Sequence, residues 1–436
     1  MLGRDAERAA RYESRMQPAL LLLVPTRSYR TADFVDAAAR LGVPVLVGSD
    51  LCHKVEETFG PREGQISLDY RRPARAAERV AALARERPIG GVVPTDEGTA
   101  VIAALAAARL GLAHNPPDAT RRAASKHAQR SALAAQGVPV PPFSLHPLAG
   151  GPEGAAARAP YPCVLKPVTL SASRGVIRAD EPAAFVTAWR RIERILAAAR
   201  AERRPTDEEG GRAILVEGFV PGPEVAVEGL LRGGRLEVLA LFDKPDPLDG
   251  PFFEETLYVT PSRHPAAVQR SVERMVAHAA AALGLAEGPL HAELRLSPAG
   301  PVVLEVAARS IGGLCARTLR FGAGVSLEEI VIAHAMGLPI AQLARERRAA
   351  GVMMLPIPRA GILRGVGGVG QAKAVPGVED VIITIPEGRE VEPLPEGDAY
   401  LGFAFARAER PEEVEAALRT AHARLAIDIR PPLPTV

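Results

Sequence analysis

Two carboxylates in residues 290–309, LHAELRLSPAGPVVLEVAAR, are spaced for metal chemistry. The segment reads as two short strands joined by a Ser-Pro-Ala-Gly-Pro turn. His291, Glu293 and Arg295 alternate on one face of the first strand, and Val303, Glu305, Ala307 and Arg309 on one face of the second. A hairpin closing symmetrically about Ala299 sets Glu293 directly opposite Glu305. Opposed residues of an antiparallel pair have Cβ atoms about 5 Å apart, where like charges are destabilising unless something neutralises them. A divalent cation does so, and hard oxygen donors at that separation suit Mg²⁺, which completes its shell with water and substrate phosphates. A solvated hairpin with two glutamates would look the same in isolation, so the rest of the chain decides.

Three further segments carry groups that bind anions or bases. Lys166 ends an apolar strand, YPCVLK, and precedes a small-residue loop with Ser171, Ser173, Arg174 and Gly175. Small residues let backbone N–H groups approach phosphate oxygens, and a lysine entering from a strand end adds a point charge. No G-x-x-x-x-G-K-[ST] occurs, so this is not a P-loop. The strand ending at Glu217 runs into Phe219, Val220 and Pro221-Gly222-Pro223, then Glu224. Backbone freed there can read a purine edge, Glu217 can accept from an exocyclic amine, and Glu224 from ribose hydroxyls. In FFEETLYVTPSR, Glu254 and Glu255 are candidates for a substrate ammonium, and Arg263 or Arg309 for its carboxylate. Lys244 of FDKPDP can pair with those carboxylates. Singly, each of these has an ordinary structural explanation.

Positioning these groups requires a multidomain α/β chain. The 436 residues suggest roughly three domains. From Pro18, strands alternate with helices (31–40, 74–86 and 98–110), which argues for a parallel sheet with crossover helices. The first strand-to-helix turn, 25–30, lacks glycine, so no dinucleotide fingerprint opens the chain. A single helix over the Lys126 region, closed by Gly137, is expected next. Then come strand 163–166, helix 182–202, strands 213–219 and 224–231 as an antiparallel unit, helix 265–283, the carboxylate hairpin and helix 326–337. Residues 350–436 read as glycine-rich strands, an αβ pattern and a helix over 411–425. Gly365, Gly367 and Gly370 fit G-x-G-x-x-G but lack a clear strand-to-helix opening. Asp96, at the end of a parallel strand, reads as a helix N-cap or a substrate contact.

Composition narrows the partners. The formal charge is +2 with 4% aromatic residues, so nucleic-acid binding has no electrostatic support. Only five of the 53 basic residues are lysines (Lys54, Lys126, Lys166, Lys244 and Lys373), which draws attention to each. Cys52, Cys163 and Cys315 have no metal-type spacing and read as buried thiols of a reducing compartment. The charged N-terminal segment and the short apolar run 19–24 form neither a signal nor a membrane span, so a cytoplasmic location is expected.

In chain order the segments are a helix with Lys126 followed by GVPVP, then VLKPVTLSASRGV, ILVEGFVPGPEVAVEG, FDKPDPLDGPFFEETLYVTPSR and HAELRLSPAGPVVLEVAARSIGG. Over about residues 18–345 this order resembles the ATP-grasp superfamily, in the carboxylate-amine ligase branch that includes the L-amino acid ligases (dipeptide synthetases). Residues 350–436 resemble that branch's closing domain. The resemblance implies a Rossmann-like pre-ATP-grasp domain (1–115), a two-lobed ATP-grasp fold (116–345, nucleotide lobe about 160–235, metal lobe about 236–345) and a C-terminal α+β domain (346–436).

It implies ATP and Mg²⁺, or Mn²⁺, as cofactors. Lys126 and Lys166 correspond to the lysines on the ATP phosphates, Ser171 to Gly175 to the covering loop, and Glu217, Phe219 and Val220 to the adenine hinge. Glu224 corresponds to the ribose contact, Glu293 and Glu305 to the metal ligands, and Arg309 to the arginine holding an acyl phosphate. His291 stands where dipeptide synthetases also carry His. Leu170 replaces a loop glycine, and Ala307 a metal-ligating Asn. The implied reaction joins a carboxylate to an amine through an acyl phosphate, with loops 168–175 and 203–211 as lids. The implied partners are small carboxylates and amines, with no nucleic acid or membrane and with a homodimer allowed. The competing readings are an ATP-grasp carboxylase of the biotin carboxylase or purine-synthesis type, although no Met-Lys-Met is present, and a non-catalytic ATP-binding protein.

Overall fold

The computed structural model describes residues 17–25, 28–50, 64–201, 210–340 and 342–431. Most of the charged N-terminal segment, Cys52, Lys54 and most of the 203–211 loop lie outside them.

The N-terminal unit is a parallel sheet of β1 (Ala19–Leu23), β2 (Val45–Ser49), β3 (Gln65–Ser67) and β4 (Ile89–Pro94), in the order β3-β2-β1-β4. β1 is apolar at every position because it is buried on both faces. Leu20 and Leu22 enter one core, while Ala19, Leu21 and Leu23 enter another. The loop after β4 caps helix Glu97–Leu110: the Asp96 side chain accepts from Gly98 N at 2.9 Å.

The Lys126 region forms two helices, Pro117–Ala124 and Lys126–Ala135, instead of one. Ser125 is extended and caps the second helix through Ala128 N. That break turns Lys126 toward the loop at 168–175, where its Nζ meets the Leu170 carbonyl.

A small antiparallel sheet holds β5 (Phe143–Pro147), β6 (Cys163–Pro167), β7 (Ile177–Ala179) and β8 (Ala213–Gly218), in the order β5-β8-β6-β7. Helix Pro182–Ala201 backs it with Phe185, Trp189 and Ile192.

The expected pairing of the strands on either side of Pro221-Gly222-Pro223 does not occur. β8 pairs with β5 and β6, whereas β9 (Glu224–Arg232) pairs with strands of a different sheet. Two prolines remove ladder donors, and Phe219 N is drawn to Pro162 O at 2.8 Å. Gly222 has φ +116, and an added Cβ would meet the Leu296 carbonyl. The segment is therefore a crossing between lobes, and glycine is what lets it pass so close to the neighbouring strand.

The second sheet has eight strands, in the order β13-β12-β9-β10-β11-β16-β20-β18. Its members are β9, β10 (Arg235–Lys244), β11 (Leu257–Thr260), β12 (Gly288–Ser297), β13 (Gly300–Ala307), β16 (Ala349–Leu355), β18 (Val378–Ile383) and β20 (Gly402–Ala408). Between β13 and β16 lie a two-stranded ribbon, β14 (Arg320–Phe321) with β15 (Val325–Ser326), and helix Leu327–Ala335, which Ser326 caps. Because β11 pairs with β16, the C-terminal region continues the sheet that carries the hairpin. Helix Ala266–Leu283 covers one face through Val272, Val276 and Leu283. A final sheet, β19 (Glu390–Val391), β17 (Gly361–Gly367) and β21 (Ala426–Arg430), completes the α+β C-terminal part. The glycine-rich stretch does lead from β17 into a five-residue helix, Val369–Lys373. β17 is antiparallel to its neighbours, which is not a βαβ unit.

Candidate functional site

The two carboxylates of the hairpin are cross-strand partners: Glu293 pairs with Glu305. The hairpin reaches this arrangement differently from a symmetric closure. Near the turn the register is Leu294 with Val303 and Ser297 with Gly300, and Leu304 is the extra residue of a bulge that restores the Glu293–Glu305 pair. Because of the bulge, Val303 lies in the core with Leu294 and does not share the face of Glu305. The Leu304 carbonyl accepts from the Arg130 guanidinium.

Cross-strand pairing gathers charges on that face. Arg295 of β12 and Lys244 of β10 both lie opposite Glu224 of β9, and His291 lies opposite Glu228. Lys244 Nζ is 2.6 Å from Glu224, 2.5 Å from Glu255 and 3.2 Å from Glu293. Tyr258 Oη lies 3.0 Å from Glu255 and 3.2 Å from Glu293. Burial opposes the Lys244 charge, but the three carboxylates outweigh it and hold the ammonium well above its ordinary pKa. Burial likewise opposes ionised Glu293, yet Lys244 and His291 keep it well below the usual carboxylate range. Glu255 is pushed up to about 7 by burial and by the neighbouring Glu293.

Oxygens of Glu224, Glu255 and Glu293 lie within 4.8 Å of one another, a separation that one cation can bridge. Lys244 now supplies the positive charge there. This hard-oxygen donor set fits a divalent cation, and Glu305 is the cross-strand partner of its member Glu293.

His291 sits between Glu228 at 3.2 Å and Glu293 at 3.4 Å. Burial disfavours its charge, but the two carboxylates win and lift it to about 9, so it is an imidazolium at neutral pH. Glu228 also accepts Ile311 N through both oxygens, at 3.1 and 3.0 Å, which ties the hairpin to the turn after Arg309.

On the small lobe, Lys166 Nζ is 2.6 Å from Glu217, whose other oxygen is 2.7 Å from Arg130 Nε. The Glu217 carboxylate therefore faces two cations rather than an open hinge. Burial lowers the Lys166 pKa, partly offset by Glu217; burial alone would raise Glu217, but Arg130 and Lys166 hold it low. Lys126 Nζ donates to Leu170 O at 2.7 Å, and Lys126 N to Val168 O at 3.2 Å. Leu170 itself is buried in the small-lobe core, which anchors the loop where glycine would not.

In that loop Ala172 and Ser173 have φ 54 and 55, and Gly175 has φ 75. Non-glycine residues in the left-handed region mark stored strain of about 1–3 kcal/mol each, common at ligand clamps. Gly175 N donates to Pro395 O at 2.8 Å, and Arg191 grips Glu396 at 2.5 and 2.7 Å, so the C-terminal region holds this loop. Arg174 is buried and Ser171 exposed.

At the hinge, Val220 O accepts from Arg295 Nη1 at 3.3 Å. The guanidinium groups of Arg178 and Arg295 lie over the Phe219 ring, 4.2 and 5.2 Å from its centroid. Arg309 Nε is 3.3 Å from Glu97 Oε2 of the N-terminal unit. Arg263 turns elsewhere: it reaches Asp243 at 2.8 Å through its backbone and Glu415 at 3.1 Å through its side chain. Glu254 is partly buried, which raises its pKa, and it stands apart from the Lys244 cluster. Cys163 and Cys315 are free, buried thiols, pushed up to about 11 and about 12 by burial.

Sequence reasoning passed over Arg130, Glu228 and Glu97. Arg130 sits one helical turn beyond Lys126, and Glu228 shares the face of Glu224 by strand alternation, so both had a periodic signal. Glu97 followed Asp96 at a strand end and was overshadowed by the cap.

Comparison with known proteins adds independent information. Three family descriptions match successive parts of the chain: an ATP-grasp N-terminal domain at residues 35–114, an ATP-grasp domain at 159–318 and the L-amino acid ligase C-terminal domain 2 at 353–430. An uncharacterized protein of Sinorhizobium fredii is 27% identical over 388 residues, covering 86% of this chain and 76% of that one. Carnosine synthase 1 of Gallus gallus is 32% identical over 351 residues, covering 76% of this chain but 37% of the longer enzyme. The crystal structure of L-amino acid ligase from Bacillus licheniformis superposes with a TM-score of 0.77 at 26% identity, over 95% of this chain and 99% of that one. Phosphoribosylglycinamide synthetase from Anaerococcus prevotii shares the fold at 13% identity and a TM-score of 0.65, covering 95% of this chain and all of its own.

Proposed function

Since the chain belongs to the ATP-grasp ligases and carries the C-terminal domain of the L-amino acid ligases, we propose that it joins a carboxylate to an amine, amino acid to amino acid, at the cost of ATP. The observation that carries this reading is the directly opposed Glu293–Glu305 pair set among cationic side chains. The reading also takes residues 1–115, 116–345 and 346–436 as its three domains, with ADP and phosphate as by-products.

ATP lies between the small sheet and the eight-stranded sheet in this scheme. The crossing at Phe219 and Val220 receives the adenine, and Glu224 the ribose. Lys126, Lys166 and the 168–175 loop surround the phosphates. Lys166 keeps its place through Glu217, which thus acts as its counter-charge rather than as the adenine acceptor. Glu293 and Glu305 would hold Mg²⁺, or Mn²⁺, with Glu255 and Glu224 in reach, and the bound ion supplies charge neutralisation at the transferred phosphoryl group.

The substrate carboxylate attacks the γ-phosphorus in line, forming an acyl phosphate and releasing ADP. Lys166 and Arg309 stabilise the negative charge that develops. The imidazolium of His291, fixed by Glu228, adds a further positive centre beside Glu293. The amine then attacks the acyl carbon and phosphate departs. Because acyl phosphates hydrolyse, the loop at 168–175 excludes water during the two steps. Glu254 remains a candidate for substrate selection and Glu255 for the ammonium of the amino acid whose carboxylate is activated, whereas Arg263, paired with Asp243 and Glu415, is left out.

The test is phosphate release from ATP across single and paired amino acids, with mass spectrometry of the products. The proposal expects release that needs a pair and a product whose mass is the sum of the two minus water. Bicarbonate-dependent release with no amide product would instead assign a carboxylase.

A further inference from the structure

We propose that Glu97, a residue of the N-terminal unit, receives the ammonium group of the amine substrate and takes its proton; this rests on the ligase reading above. An α-ammonium group has a pKa of about 8 or more and cannot attack until it is deprotonated, so the second step needs a proton acceptor beside the acyl group.

Four carboxylates bear on Arg309, the residue assigned to the acyl phosphate: Glu97, Asp96, Glu305 and Glu228. Asp96 is committed to the cap through Gly98 N, and Glu228 to Ile311 N and His291. Glu305 is taken up by the carboxylate pair of the hairpin. Glu97 remains. Its Oε2 is screened from solvent and lies 3.3 Å from Arg309 Nε, an ion pair in which no hydrogen bond is aligned. A carboxylate so placed stands beside the residue assigned to the acyl phosphate.

The groups facing Glu97 are Arg309, Glu305, Asp96 and Lys126. Burial raises its carboxyl to about 7, with Arg309 opposing, a value suited to a general base near neutral pH. In the step, the ammonium N–H bond breaks and its proton passes to Glu97. The nitrogen lone pair forms the C–N bond, the C–O bond to phosphate breaks with its electrons on phosphate, and the second nitrogen proton leaves with phosphate.

Hydroxylamine separates the two steps because it is uncharged at neutral pH and traps an acyl phosphate as hydroxamate without a base. With Glu97→Gln, hydroxamate formation is expected within about threefold of wild type, while amide formation falls at least about 100-fold, the range of a lost general base. Parallel loss of both, or retention of amide formation, overturns the assignment. Should the variant not fold, the wild-type pH profiles decide. Amide formation should show an ionisation near pH 7 that hydroxamate formation lacks, and identical profiles overturn the proposal. A wild-type chain that makes neither product overturns the ligase reading itself.

Discussion

Lys166 Nζ and Glu217 Oε2 lie 2.6 Å apart, and Arg130 closes on the other oxygen of the same carboxylate at 2.7 Å. Glu217 is thus the single anion between two buried cations, and its loss is felt twice. Glu217→Gln should destabilise the protein by about 3–5 kcal/mol, the cost of breaking a buried pair, and should raise KM for ATP through a displaced Lys166. Chemical denaturation and ATP titration of the rate check both. An unchanged midpoint with unchanged KM would remove the positioning role.

Lys244 stands among Glu224, Glu255 and Glu293, so Lys244→Met leaves three carboxylates without their shared cation. In a chelator the variant should melt well below wild type. Added Mg²⁺ or Mn²⁺ should recover more of its melting temperature than it adds to wild type, because the ion now fills an uncompensated site. Equal metal responses in the two proteins would count against a cation at this cluster.

The stability of the metal-free protein should report His291. Its folded pKa of about 9 lies above the ordinary 6.5. The charged form is therefore the one folding favours. The stabilisation is complete below about pH 6.5 and is lost as pH rises toward 9, amounting to about 3 kcal/mol at about 1.4 kcal/mol per pH unit. His291→Gln should flatten the denaturation midpoint across that window, and a wild-type midpoint that does not fall there would refute the buried imidazolium.

The Arg191–Glu396 pair is about a third exposed on both sides, so Glu396→Gln should cost no more than about 1 kcal/mol of stability. Its effect belongs to the loop that Pro395 holds through Gly175 N. KM for ATP is expected to rise several-fold with little change in the melting temperature. A large loss of stability with unaltered KM would make the contact purely structural.

The sequence was legible where a period or a breaker acts locally. The alternation of His291, Glu293 and Arg295 placed all three on one face, and helix Thr31–Arg40 ran as its pattern dictates. The opposition of Glu293 and Glu305 was readable, but the bulge at Leu304 that achieves it was not, since nothing local distinguishes Leu304 from its neighbours. The crossing at Gly222 resembled a hairpin turn because Pro-Gly-Pro fits both; only the distant acceptor Pro162 decides between them. Long-range partnerships explain the remaining gaps. Arg130 with Glu217 and Glu97 with Arg309 are separated by 87 and 212 positions, and no pattern on one element reveals a partner on another.

The central claim is that ATP activates a substrate carboxylate as an acyl phosphate. With a substrate amino acid labelled with ¹⁸O in its carboxylate, the account predicts one labelled oxygen in each phosphate released, in step with amide formed. Label-free phosphate, or label found in AMP, would contradict it.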